Sequence, residues 1–274
     1  MIEYELSESE SSVHLWLSTR LPLEPTGNVL FAKGQLRDAL SRLKAPRTGI
    51  FCARYSAIDT SVFDVENVLL YNVGTGAFSS VASNGITFSR LRTLPPKAPS
   101  GLSFPYLHEY FFTEVPEPPF GESVTAFSFS IPRISSSTRA HDVWWHATEA
   151  KASSYKPISG RFALHVELII NSPIKNVAAI LKSLLDGIVS AMHTCPNPSN
   201  VAVERLAIYK KWNAEEVYRK LQKPPNPILG HRRVIDVYRE FVKWDPADDL
   251  CESCTLAIGF GDVSTCNVTI AAAH

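Results

Sequence analysis

The chain has 274 residues, 45% of them hydrophobic, which is enough for one large core or two small ones. Its 27 basic and 27 acidic residues cancel to a net charge of zero, so the net charge gives no indication of a nucleic-acid or membrane partner. No apolar run approaches the roughly 20 residues of a transmembrane helix, and the acidic start MIEYELSESESS is unlike a secretion signal. Five cysteines without such a signal are typical of reduced thiols, so we expect a cytoplasmic protein that does not associate with membranes.

Strands and one amphipathic helix alternate in the first part of the chain. The patterns predict strands at 13–21, 49–58 and 123–134 and a helix at 28–43. Residues 93–122 are rich in proline and aromatic side chains, and we expect them to form an irregular covering segment. The polar stretch 135–142 is the best candidate for a linker.

The second part of the chain begins with the same order of elements. The patterns predict strands at 160–170 and 201–212, helices at 176–193, 214–223 and 232–244, and a hairpin at 254–271. The sequence therefore predicts an α+β fold with two similar strand–helix–strand modules, residues 1–137 and 150–274. We interpret them as a diverged internal duplication that forms a pseudo-dimeric single chain.

The stretch FDVENVLLYNVG places three polar residues, Asp64, Glu66 and Asn67, between apolar ones. One interpretation is that Asp64 caps a helix, which stabilises a helix by about 0.5–2 kcal/mol relative to alanine. The other is that the acids bind a metal ion. The sequence leaves both interpretations open.

A basic region lies between residues 203 and 243, where ten Lys or Arg residues outnumber five acids. Trp212, Tyr218 and Tyr238 are interleaved with them, which favours phosphate contacts and stacking on exposed bases. The alternative is a set of solvated helix faces. With one lysine from the preceding helix, the candidate nucleic-acid-binding residues are Lys182, Lys210, Lys211, Arg219, Lys220, Arg232 and Arg233.

Residues 165–212, HVELIINSPIKNVAAILKSLLDGIVSAMHTCPNPSNVAVERLAIYKKW, resemble the core of the RusA-type Holliday junction resolvases. Lys182, Leu185 and Asp186 match the helix pattern of that family, and residues 197–212 match its following strand. The chain departs from the family at its acids: Asn176, Ala178 and Ala179 stand in place of the first acids and Asn, and Asn197 and Pro198 in place of a later acidic pair. Clustered carboxylates hold magnesium in such sites, so the second half alone is expected to be inactive.

The resemblance gives Asp64, Glu66 and Asn67 a second meaning. They reproduce the Asp-x-acid-Asn pattern of the family after a predicted strand of the first half. RusA-type enzymes work as homodimers, so this chain would resemble a fused dimer in which each half retains what the other has lost. If the protein is a nuclease, the resemblance implies Asp64, Glu66, Asn67 and Asp186 as catalytic residues, with Asp64 and Glu66 as Mg²⁺ ligands. The structural alternative is that Lys182 and Asp186, which are four residues apart, form an exposed ion pair on a helix face.

Cys251 and Cys254 form a CESC motif, half of a zinc site by spacing. Cys266 and His274 would be needed to complete it, and two buried thiols are the simpler explanation. In HDVWWH, no nucleophile elbow accompanies His141, Asp142 and His146, so we interpret Trp144 and Trp145 as core or interface residues.

Three functions remain open from the sequence, and the first is favoured because the family resemblance and the local excess of basic residues fall in the same half. The first is a nucleic-acid-binding protein with a largely degenerate RusA-like nuclease fold. The second is a Mg²⁺-dependent, structure-specific endonuclease that uses Asp64 and Glu66. The third is a non-enzymatic scaffold that binds a protein partner through residues 93–122.

Overall fold

The computed structural model describes residues 3–116 and 124–273, and its fold is α+β. Nine strands form one mixed sheet, in the order β1-β2-β5-β3-β4-β10-β7-β11-β6, and β8 and β9 form a separate two-stranded ribbon. The strands are β1 Tyr4–Glu8, β2 Ser12–Leu17, β3 Ile50–Ser56, β4 Gly85–Leu91, β5 Tyr106–Thr113, β6 Thr125–Ser130, β7 Phe162–Ile170, β8 Ile235–Tyr238, β9 Phe241–Trp244, β10 Cys251–Phe260 and β11 Thr265–Ala272.

The helices and helical turns share one hydrophobic core with alternate residues of the sheet strands. They are α1 Gly27–Arg42, a π-helical turn Asn67–Tyr71, a 3₁₀ turn Thr75–Phe78, α2 Ala140–Ala147, α3 Val177–Ala191, α4 Asn200–Lys210, α5 Ala214–Gln222 and a 3₁₀ turn Asp248–Leu250. Within the described ranges, we find no helix with the length and apolarity that crossing a bilayer requires. On the opposite face of the sheet, Trp16, Ala98, Phe104 and Leu107 form a small second cluster.

The pairing pattern of the four strands β2 to β5 is repeated on the other side of the sheet. In the order β2-β5-β3-β4, the successive pairs are antiparallel, antiparallel and parallel. The order β6-β11-β7-β10 has the same directions. The two sets meet where β4 pairs antiparallel with β10, and there the hydroxyls of Thr87 and Thr255 lie 3.0 Å apart. Strand β6, placed with residues 1–137 by the sequence, lies beside β11.

Several predicted elements are confirmed, namely the strands that became β2, β3, β6 and β7 and the helices that became α1, α3 and α5. The strand β1 was not predicted. The predicted linker 135–142 instead leads directly into α2, which begins at Ala140.

The strand predicted at 201–212 is wrong, because this segment is α4, Asn200–Lys210. Its buried residues Ala202, Val203, Leu206 and Ala207 recur at helical spacing. Ser199 starts the helix by accepting a hydrogen bond from the backbone N–H of Ala202. The local cap and the 3.6-residue period decide the structure here.

The helix predicted at 232–244 is also wrong. Ile235–Tyr238 and Phe241–Trp244 pair as the antiparallel ribbon β8–β9. Arg239 lies in the turn between them with φ of 55°, a left-handed conformation that would interrupt a helix.

The two alternating runs at 254–271 are strands, but they do not pair with each other. Strand β7 lies between them, parallel to β10 and antiparallel to β11. The connection passes the end of β7, where the N–H of Gly261 donates to the carbonyl of Ile170. The predicted hairpin is therefore corrected to a crossover around a central strand.

The proline-rich and aromatic segment 93–122 is not a single covering segment. Its residues Tyr106–Thr113 form β5, which lies inside the sheet between β2 and β3. Residues 117–123 of this segment lie outside the described residues. Because β5 already uses both of its edges, this part of the segment has no free edge for a protein partner.

Candidate functional site

The first part of the site is a helical turn that follows β3. The carbonyl of Asp64 accepts the backbone N–H groups of Asn67 and Val68, and the next residues form a π-helical turn, a rare structure that is frequent at functional sites. The carboxylate of Asp64 accepts a hydrogen bond of 2.5 Å from the side-chain amide of Asn67. Asp64 thus starts the helical turn through its backbone, and its side chain is left facing the site.

The second part of the site is α3, which follows β7. Asn176 caps this helix by accepting the N–H of Ala179 at 3.1 Å, and its side-chain amide donates to the carbonyl of Thr75 in the first half. The hydroxyl of Tyr71 accepts the backbone N–H of Lys182 at 3.0 Å. These bonds hold the π-helical turn and α3 side by side.

The side chain of Lys182 lies among four carboxylates from three separate segments. Its Nζ is 3.1 Å from Glu66, 3.2 Å from Asp186, 2.9 Å from Asp248 and 3.8 Å from Asp64. We call these five residues the acid–lysine centre. Glu66 has no exposed side-chain surface, whereas Lys182 and Asp64 keep 29% and 27% of theirs, so the centre is open to solvent on one side.

The sequence singled out four of these five residues, and the structure brings them together. Glu66 and Lys182, for example, are 116 positions apart in the sequence. It also bonds Asn67 to Asp64. Asp248 was missed because it follows a segment that was predicted as a helix. The available signal was the acidic run at 245–249, which precedes β10.

Burial governs the protonation of the centre. It raises the pKa of Glu66 to about 8, against the opposing effect of the Lys182 ammonium. Burial likewise raises the pKa of Asp186 to about 7 and raises that of Asp64. Burial lowers the pKa of Lys182, but the attraction of Glu66, Asp186 and Asp248 outweighs it and leaves that pKa well above its ordinary value. The lysine is therefore charged, and protons remain on part of the acids near neutral pH.

The acids have the donor set of a hard divalent cation. Single carboxylate oxygens of Asp64, Glu66 and Asp248 all lie within 4.8 Å of one another. The second oxygen of Glu66, Oε2, is buried and has no hydrogen-bond partner among the described residues. Three carboxylate donors at this spacing, together with a buried acceptor that has no partner, fit a hard cation such as Mg²⁺ or Mn²⁺.

The remaining candidate nucleic-acid-binding residues do not form one free basic surface. Lys210 bonds Asp142 at 2.5 Å, and Lys220 is buried with its ammonium 4.5 Å from the centroid of the Trp145 ring. The three arginines of this set form ion pairs with acids: Arg219 with Glu216, Arg232 with Asp249 and Arg233 with Asp236. Lys211 is exposed at the end of α4. Lys182 is committed to carboxylates, so the geometry does not favour it as a phosphate contact.

The cysteines of the CESC motif are both buried, and so is Cys266. His274 lies outside the described residues. In the described chain, the one group with metal-ligand spacing is Asp64, Glu66 and Asp248, and it contains no cysteine. This arrangement favours structural thiols over a zinc site.

Comparison with known proteins identifies no relative: no family model, no curated protein and no solved structure matches the chain.

Proposed function

We propose that the protein is a divalent-metal-dependent phosphodiesterase that acts on nucleic acid, with the acid–lysine centre as its active site. The observation that carries the proposal is the convergence of Asp64, Glu66 and Asp248 to within 4.8 Å beside an ammonium group. Clustered carboxylates with a lysine suit reactions in which negative charge develops on a phosphate.

Each residue has a separate role in this proposal. Asp64, Glu66 and Asp248 would hold Mg²⁺, which would supply Lewis-acid stabilisation of the phosphate charge. The Lys182 ammonium would balance the charge of the acids that the cation does not neutralise. Asp186, with its pKa of about 7, would accept a proton from the water whose oxygen bonds to phosphorus, and the leaving oxygen would take a proton from solvent as its P–O bond breaks.

The repeated strand pairing supports the proposed duplication, whereas the segment that the sequence matched to the following strand of the RusA-type resolvases is the helix α4. The π-helical turn follows β3 and α3 follows β7, which are equivalent strands of the two sets. Asp64 and Glu66 come from the first of these positions, and Lys182 and Asp186 come from the second. The centre is thus a composite of two diverged halves, as expected for a fused dimer that keeps one active site.

A cleavage assay tests the proposal. Fluorescent single-stranded, duplex and four-way-junction DNA is incubated with the protein and Mg²⁺ or Mn²⁺. We expect metal-dependent cleavage that Asp64→Asn and Asp248→Asn each reduce by at least about a hundredfold, because either change removes a ligand. Asp262→Asn, which changes an exposed acid on the turn after β10, is the control.

A nucleic-acid-binding protein that has lost catalysis is the second candidate. It is favoured by the position of the Lys182 ammonium, which already lies 2.9–3.2 Å from three of the acids, where a cation would neutralise them. In that case the protein binds DNA or RNA at low salt but neither binds Mn²⁺ nor cleaves. Absence of cleavage in every DNA substrate, with metal present, would reject the first candidate in favour of this one.

A further inference from the structure

Three aromatic side chains are exposed where α4 meets the β8–β9 ribbon. Tyr209, Tyr238 and Phe241 have relative exposures of 71%, 57% and 71%. Tyr238 and Phe241 are directly paired across the two strands, so their rings lie on the same face of the ribbon. Such a group of exposed rings is unusual and marks a binding surface.

Three arginines surround these rings. Arg139 and Arg205 line a cavity of about 360 Å³ together with Tyr209 and Phe241, and Arg239 lies with its guanidinium 5.3 Å from the centroid of the Tyr238 ring. The guanidinium groups of Arg139 and Arg205 donate to the backbone carbonyls of Ser136 and Arg239, and neither forms an ion pair within residues 3–116 and 124–273. Glu240 is the one acid in the cavity lining, so the charge of the surface is positive.

The surface is ordered before any ligand arrives. Arg205 donates a hydrogen bond of 2.7 Å to the carbonyl of Arg239, which ties α4 to the turn of the ribbon. At the other wall, the ring of Tyr209 packs edge-on against His141 of α2, with centroids 5.5 Å apart. Preorganised rings and guanidinium groups lose little conformational entropy on binding.

From this geometry we infer that Tyr209, Tyr238 and Phe241, with Arg139, Arg205 and Arg239, form a binding surface for single-stranded nucleic acid. Exposed rings stack on bases that are not already stacked in a duplex, and unpaired guanidinium groups bind phosphates. The inference extends the proposed function by naming the form of the substrate. It does not require a bound metal, so it can be tested apart from catalysis.

The test is fluorescence anisotropy with a labelled oligothymidylate of about 16 nucleotides, in EDTA. We expect the wild-type protein to bind the strand more tightly than a duplex of equal length. Tyr209→Leu and Phe241→Leu should each weaken binding about tenfold, because leucine keeps apolar area but cannot stack. Tyr209→Phe keeps the ring and should bind as the wild type does. Phe31→Leu, at a residue of α1 that is 62% exposed, is the control.

The salt dependence gives a second measurement. Arg139→Gln should lower the slope of log K against log salt concentration by about 0.7, the value for one phosphate contact on a single strand. Failure of the wild-type protein to bind at low salt would overturn the inference, and so would leucine variants that bind as well as the wild type. Sedimentation velocity tests the alternative that the surface is a protein interface. The inference would be overturned if the wild-type protein forms a dimer that Phe241→Leu dissociates and does not bind the oligonucleotide.

Discussion

At the scale of single residues, the central observation is that one ammonium group, that of Lys182, forms ion pairs with four carboxylates. Lys182 is the one basic side chain of the acid–lysine centre, and the centre holds more carboxylates than it can keep ionised without a further cation. Removing the partner of a buried charge is strongly destabilising. Lys182 therefore stabilises the fold whether or not the centre is catalytic.

We expect Lys182→Met to lower the free energy of unfolding by about 2–3 kcal/mol in EDTA, less than for a fully buried pair because the side chain is partly exposed. Mn²⁺ should restore part of this loss by taking over the positive charge. Urea denaturation measures both effects. Lys44→Met, at an exposed position just after α1, should change the stability little, and equal stability of the two variants would contradict the assignment.

Glu66 makes the stability depend on pH. Its pKa is about 8 in the folded protein and 4.5 ordinarily, so between these values the folded chain holds a proton that the unfolded chain has released. The free energy of unfolding in EDTA should therefore fall as the pH rises from about 4.5 to about 8. Asp186, raised to about 7, acts in the same direction. Glu66→Gln should flatten this fall, whereas the exposed Glu24→Gln should keep it; an unchanged slope in Glu66→Gln would contradict the burial argument.

At the scale of elements, the packing of α3 against α2 fixes where Lys182 and Asp186 lie. A Cβ atom on Gly187 would come within 2.6 Å of the Ala140 carbonyl oxygen and of Val143 Cβ, so only glycine allows the two helices to approach this closely. Gly187 directly follows Asp186. The helix contact therefore positions one acid of the centre.

We expect Gly187→Ala to destabilise the protein by about 1–3 kcal/mol through overpacking. Gly34→Ala is the matched control, because Gly34 lies within α1 and a Cβ there would have no atom within 4 Å. That change should be neutral or stabilising by up to about 1 kcal/mol. Thermal unfolding of both variants gives the comparison, and a tolerated Gly187→Ala would contradict the close helix approach.

The elements that the sequence predicted well are those with one clear period. The stripe of α3 and the alternation of β7 identify each element on their own. Residues 201–212 and 232–244 mix charges with apolar residues, so their period is ambiguous, and only a cap at Ser199 and a left-handed Arg239 decide between helix and strand. Asp248 was not predicted as a site residue for the same reason. The segment before it, 232–244, was predicted as a helix, so the acidic residues at 245–249 were not recognised as part of a site.

At the scale of the whole molecule, the two sets of strands form one sheet with one main core. The sequence predicted two similar modules of an α+β fold, but the β4–β10 junction and the place of β6 depend on contacts between distant residues. Local patterns cannot report such pairings. The sequence singled out four of the five members of the acid–lysine centre in the segments that follow β3 and β7, and contacts such as that of Tyr71 with Lys182 bring those segments together.

The central claim is that the acid–lysine centre binds a divalent cation, and calorimetric titration of Mn²⁺ into metal-stripped protein tests it most directly. We predict one ion per chain, with an affinity that rises with pH because the ligands must lose their protons. Glu66→Gln and Asp248→Asn should abolish binding, and Asp262→Asn should not. Absence of binding in the wild-type protein, or binding that survives the loss of both Glu66 and Asp248, would contradict the claim.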